Sequence, residues 1–330
     1  MATKVLLALA GLVIGIVFLW LTLRGIDGAD LARAVSRVRY QWLAAGVLFY
    51  LASIGLRSLR WSILLRASGK VRWRHVFEAL LTGFAANYLL PGRIGELFRA
   101  EYARRLFKIS RFTSIGTIVV ERVCDGVILV CALWIGLTSV LAGSAVLGAA
   151  PPWMLTVAAV SSALFGAALV FVIVSRRLDI RRFGAPEMFA VRWSRLIEGV
   201  SSVAGDNYLS VAALSLGVWL LELLTLGSLV RAFTDPLSLP QMLLLLSLGS
   251  LSTLVPTAPG FIGTYQFVFM QVFALLGQQP STGVVVATSM QIFCFGTVTV
   301  LGALVLLSRA GVTMWRAFDL GALKRADEPE

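Results

Sequence analysis

The sequence predicts an all-α polytopic membrane protein of about six transmembrane helices plus two re-entrant helical hairpins, arranged as two inverted repeats. Three observations lead there. The 330 residues are 58% hydrophobic and only 14% charged, with a mean hydropathy of +0.87, whereas soluble domains carry about 25% charged residues. Several apolar runs are long enough to cross a hydrocarbon core, and two shorter ones end at proline and glycine. A short Pro-Gly motif recurs about half a chain apart.

The composition also limits the chemistry. Cys124, Cys131 and Cys294 lie inside apolar runs and give neither an even disulfide framework nor zinc-ligand spacing. The single histidine, His75, sits in a basic loop without a nucleophile motif, so a Ser-His-Asp triad and a histidine metal site are not expected. No metal or cofactor is expected. The net charge of +12 reads as basic cytoplasmic loops facing anionic lipid rather than as a nucleic-acid surface.

The first run, Val5 to Leu23, has 19 residues, which at about 1.5 Å per residue roughly matches a ~30 Å core. Lys4 before it suits a signal peptide, but the run exceeds the usual apolar region of one and no small-residue cleavage site follows. An anchor is predicted. Between Gly25 and Tyr40, Leu31, Val35 and Val38 recur at helical spacing beside Arg33, Arg37 and Arg39, which reads as a short interfacial helix or as a misassigned first span. Further spans are predicted near Trp42 to Leu65, Thr117 to Leu141, Trp153 to Val174, Leu209 to Phe233 and Gly283 to Leu307. Val76 to Leu90 and Met242 to Val255 are too short to cross comfortably and stop at helix breakers. They read as re-entrant arms, because broken backbone at membrane depth must be buried in protein or line a cavity. Two short spans at each break is the alternative.

Pro91-Gly92-Arg93-Ile94-Gly95 and Pro259-Gly260-Phe261-Ile262-Gly263 agree at four of five positions, 168 residues apart. The repeat places a first half at 1–150, broken at 91–95, a second at 151–310, broken at 256–263, and a cytoplasmic tail at 311–330. Three crossings per half would insert the halves upside down relative to each other. Loop charges agree with cytoplasmic termini: Arg66 to Phe112 holds 10 Lys/Arg and Ser175 to Asp206 holds 6, whereas Ala142 to Pro152 and Thr234 to Ser281 hold none.

Charges within apolar runs are the candidate functional residues, since each is costly unless paired or facing a polar interior. Glu222 lies mid-span and is expected either to meet a cation or to stay protonated. Glu121, Arg122 and Asp125 share one helix, with both acids on one face; a helix starting near Val123 would instead leave the first two at the interface. Arg57 and Arg60 could pair with these acids or snorkel outward. Past the first break, Arg93 and Arg99 stand where a phosphate could also meet helix N-terminal amides, with Glu96 between them. The second half is neutral at the corresponding places, with Gln266 and Gln291.

Asn87 to Arg99, followed by Val119 to Asp125, resembles the transmembrane domain of lysylphosphatidylglycerol synthases, and the stretch from Pro256 to Thr264 resembles its second-half motif. The resemblance implies a flippase-like protein of the bacterial inner membrane that moves lipids with charged or glycosylated heads between leaflets. It directs attention to Asn87, Arg93, Glu96, Arg99, Glu121, Arg122 and Asp125. Gln266 and Gln291 depart from relatives that place an acid and an arginine there, so an amide pair is expected in place of an ion pair. Only 23 residues follow Leu307, so an aminoacyl-transferase domain is not expected and no catalytic residue is assigned. The alternatives are an intramembrane enzyme using Glu121 and Asp125 as acid and base, or a non-catalytic subunit. The expected partners are a membrane lipid substrate, anionic lipid at the basic loops, and a soluble synthase or a second copy of the chain.

Overall fold

The computed structural model describes residues 13–22, 24, 28–36, 38–90, 94–143, 151–177, 186–203, 207–255 and 259–310. Residues 91–93, Arg93 among them, and 256–258, which belong to the predicted breaks at 91–95 and 256–263, lie outside the described residues, as do most of the N-terminal half of the first run and the tail from 311.

Among the described residues all regular elements are helical. The first half contains α1 (Val13–Thr22), α2 (Gly28–Ser36), α3 (Tyr40–Arg66), α4 (Trp73–Leu89), α5 (Gly95–Phe107) and α6 (Arg111–Gly143). The second contains α7 (Pro152–Ser175), α8 (Glu187–Val200), α9 (Asn207–Phe233), α10 (Leu239–Ser252), α11 (Thr264–Leu275), α12 (Pro280–Ser289) and α13 (Gly296–Ala310). Helices α12 and α13 form one continuous rod through a π-helical turn at Met290–Phe295. Five rods are long and apolar enough to cross a membrane: α3, α6, α7, α9 and the α12–α13 rod. The chain is a multi-pass α-helical membrane protein, and α2 occupies the place where the Leu31 and Val35 spacing predicts an interfacial helix.

Local chemistry explains the ends. Proline opens α7 and α12 and stands second in α10, positions where its missing N–H would be unpaired in any case. Ser238 caps α10, donating its own N–H to Gln241 Oε1 at 2.9 Å. At the first break, Asn87 Oδ1 accepts the N–H of Gly95 at 2.7 Å, tying the end of α4 to the start of α5. The predicted arms are therefore pairs of short helices that turn back on one another.

The long helices α3 and α9 pack along each other at the centre, with Gly46 seated on Leu229. Two further contacts join the halves: α6 packs on α10, and α13 packs on α4. Both are close because glycine removes a side chain. A Cβ on Gly136 would lie 2.6 Å from the Leu244 nitrogen, and one on Gly302 would strike the Leu81 carbonyl oxygen and reach the Ala85 Cβ at 2.7 Å. In membranes such small-residue approaches supply the packing that hydrophobicity cannot. Gly302→Leu should therefore lower the melting temperature in detergent, at a cost of about 1–3 kcal/mol for overpacking. Gly166→Leu, where a Cβ meets nothing within 4 Å, should not. Equal melting temperatures for the two variants would contradict this packing.

Candidate functional site

A stripe of polar side chains runs down one face of α3 at helical spacing: Tyr50, Ser53, Arg57 and Arg60. It faces Glu121 and Asp125 of α6 and Ser215, Trp219 and Glu222 of α9. All the ionised members of this group are buried, Arg60 completely. Burial of unpaired charge would cost several kcal/mol per ion, so the arrangement depends on how fully the charges are matched.

Asp125 is the hub. Arg60 grips it with both terminal nitrogens, Nη1 to Oδ1 at 2.7 Å and Nη2 to Oδ2 at 3.1 Å, the fork geometry that makes arginine–carboxylate pairs strong. Trp219 Nε1 donates to Oδ1 at 3.1 Å, and Arg57 Nη1 lies 3.6 Å from Oδ2. Arg60 also donates to Ser215 Oγ at 2.8 Å and, through Nε, to Glu121 Oε1 at 3.4 Å. Arg99 reaches across from α5 to Glu121 Oε2 at 2.6 Å, its guanidinium 4.1 Å from the centre of the Trp61 ring. Glu222 accepts from Ser53 Oγ at 2.8 Å and from Arg57 Nη2 at 3.0 Å. Arg57, Arg60 and Arg99 thus match Glu121, Asp125 and Glu222, and four helices are joined through side chains alone.

Arg122 stands at the edge of this group. A third of its side chain is exposed, and its nearest acid contact is Nη2 to Asp125 Oδ2 at 3.7 Å. The buried Nε atoms of Arg122 and Arg99 have no hydrogen-bond partner among the described residues. Glu96 stands in the first turn of α5, three residues before Arg99. Asn87 holds the break rather than a charge.

The second half carries the expected amide pair. Gln266 Nε2 donates to Gln291 Oε1 at 2.5 Å, Gln291 Nε2 donates to the Gly260 carbonyl at 2.9 Å, and Gln266 Oε1 accepts the Gly263 N–H at 2.8 Å. These contacts latch the second break to the π turn.

The structure brings Arg99, Glu121, Arg122, Asp125 and Glu222 into one group and Gln266 with Gln291 into another. It decides alternatives that the sequence leaves open. Arg57 and Arg60 pair inward rather than snorkel, and α6 begins at Arg111, which buries Glu121 instead of leaving it at an interface. Trp61, Ser215 and Trp219 were missed; the signal was the three- and four-residue spacing of Ser215, Trp219 and Glu222, a polar face on an otherwise apolar span. Glu222→Gln keeps an acceptor for Ser53 and Arg57 and should lower the melting temperature by only a few degrees, whereas Glu222→Lys sets a cation against Arg57. Breaking a buried pair costs about 3–5 kcal/mol, so Glu222→Lys should lose most of its folded yield in size-exclusion chromatography. Equal yields for Glu222→Lys and wild type would contradict the pairing.

Comparison with known proteins bears on what this arrangement belongs to. The chain is 24% identical to "Glycosyltransferase AglD" of Haloferax volcanii over 363 aligned positions, covering 99% of this chain and 58% of that protein. The chain thus spans less than two thirds of that relative. Two proteins of Methanothermobacter thermautotrophicus, each called "UPF0104 membrane protein", are 22% and 23% identical, covering 88% and 82% of this chain and 92% and 84% of their own length. No solved structure matches the chain. Residues 8–302 match the family described as the lysylphosphatidylglycerol synthase TM region, including both helix breaks, the ion network and the amide latch. The chain belongs to that family of membrane proteins.

Proposed function

We propose that the protein moves a lipid with a phosphate-bearing head between membrane leaflets, admitting the head at the edge of the ion network, at Arg99 and Arg122. One observation carries this reading: the network is matched in its interior and incompletely hydrogen-bonded at that edge. Both arginine Nε atoms there are buried without a hydrogen-bond partner among the described residues, while Arg122 remains part-exposed. A phosphate offers acceptors that an arginine fork fits. Glu96 beside them suits an amine or hydroxyl on the same head, and the acyl chains stay in the bilayer.

The two halves act as inverted repeats in this reading. Their helices follow the same succession: a first helix, a short helix, a long span, two hairpin arms and a last rod. The matching contacts of α6 with α10 and of α13 with α4 support the correspondence. Rocking of one half against the other would then expose the site alternately. Both termini face the cytoplasm of a bacterial inner membrane. There the basic loops meet anionic lipid, with Arg104, Arg105 and Arg111 gathered on Glu101. The glycosyltransferase name of one relative supports a glycosylated phosphate head as one form of the substrate. Transport is favoured over head-group chemistry because Glu121 and Asp125 are engaged by arginines, which leaves neither placed as a general acid.

Leaflet exchange of a fluorescent anionic phospholipid in liposomes tests the proposal. Wild type should exceed the protein-free rate. A hydrogen bond to a charged group is worth about 1.5–3 kcal/mol, so Arg122→Ala should slow exchange roughly tenfold or more, at equal incorporation. Wild-type exchange at the protein-free rate, or a change in the lipid's mass, would overturn it.

A further inference from the structure

Between the ion network and the amide latch lies a plug of aromatic rings. Tyr88 of α4 stacks on Phe295 with ring centres 4.5 Å apart and planes 6° from parallel, and it meets Phe261 edge-on at 6.2 Å. Tyr50 and Tyr265 each lie 5.9 Å from Phe295. The hydroxyls of Tyr50 and Tyr88 are 2.7 Å apart and hydrogen-bonded to each other. Tyr50, Phe261, Tyr265 and Phe295 are all buried.

The plug touches both half-sites. Tyr50 is one turn before Ser53, which donates to Glu222 on the ionised side. Phe295 is one turn after Gln291, and Phe261 follows Gly260, whose carbonyl that glutamine holds. Ring faces packed at this distance leave no room for a polar head between the ion network and the amide latch.

Two of the rings stand on irregular backbone, and a third stands at a helix end. Tyr88 is in the last turn of α4, beside the break. Phe261 has a φ of 60°, a conformation strained for a bulky side chain. Phe295 closes the π turn, an irregularity frequent at functional sites. Tyr50, by contrast, is held mid-helix in α3. Phe261 and Phe295 lie outside regular α-helix and Tyr88 in a terminal turn, where few helical hydrogen bonds are lost by a shift, while Tyr50 stays with the ion network.

We infer that this plug is the gate between the half-sites, with Tyr88 its moving element, and that the structure shows it closed. The inference rests on the lipid-translocation reading. On opening, Tyr88 leaves Phe295, and the Tyr50 and Tyr88 hydroxyls exchange their mutual hydrogen bond for polar atoms of the head.

The test uses the full chain in liposomes, on a background with Cys124, Cys131 and Cys294 replaced by serine. Tyr88→Cys with Phe295→Cys, bridged by a short bis-methanethiosulfonate, should lose at least tenfold in lipid exchange and recover it on reduction. Exchange by the bridged protein at its unbridged rate would overturn the gate. A second readout does not depend on lipid movement. With Gln291→Cys added, the bridged protein should react with a membrane-impermeant thiol reagent from one face only, and Gln291→Cys combined with Tyr88→Ala should react from both. Identical labelling in the two proteins would overturn the gate even if lipid moves. Wild-type exchange at the protein-free rate would instead remove the translocation reading, and the labelling pattern would still decide whether the plug separates two compartments.

Discussion

The fork between Arg60 and Asp125 is the contact on which the rest of the interior depends. It joins α3 to α6 in a place where neither partner reaches water, and every other charge in the group is placed by reference to it. Asp125 receives Trp219 from α9, Arg60 extends to Glu121, and Glu121 in turn holds Arg99 of α5. Apolar packing alone cannot fix the register of helices in a membrane, because lipid tails compete for the same surfaces. A bidentate ion pair has one good geometry, and a misplaced helix would leave a buried charge unmatched. Pairing within the network thus acts as the registry device for α3, α5, α6 and α9.

The second half reaches the same end with neutral groups. Its latch between Gln266, Gln291 and Gly260 holds a helix break against a π turn without any desolvated charge. The two halves share a succession of elements but not a chemistry. Under the proposed translocation this inequality would have a use: a charged head would bind more tightly on the ionic side, and the inferred gate would keep the two sides apart. Two of the three hydroxyls in the plug, those of Tyr50 and Tyr88, are hydrogen-bonded to each other.

Much of this architecture was legible in the sequence because membranes impose simple rules. A helix that crosses needs about 20 apolar residues, so α3, α6, α7 and α9 could be read from run length. Proline beside glycine disfavours a continuing helix, so both hairpin breaks were visible, and the spacing of Leu31 and Val35 pointed to α2. Charges in apolar runs pointed to Glu121, Arg122, Asp125 and Glu222 because such charges are too costly to be incidental. The partners were less visible. For Arg57 and Arg60 the sequence offered pairing with the acids or snorkelling and could not choose between them, and Trp219 meets Asp125 across 94 positions, a distance at which local pattern carries no information. The π turn at Met290–Phe295 was hidden because its residues are compatible with an ordinary helix. Tyr88 and Phe295 stack on each other from opposite halves of the chain, a contact that no local spacing indicates.

The central claim is that a lipid phosphate completes the group at the edge of the ion network. Electron cryomicroscopy of the protein in nanodiscs containing anionic phospholipid tests it most directly. The account predicts head-group density between the Arg99 and Arg122 guanidinium groups, lost in Arg122→Ala. Lipid density confined to the outer surface of the helices, with both arginines turned only toward Glu121 and Asp125, would contradict it.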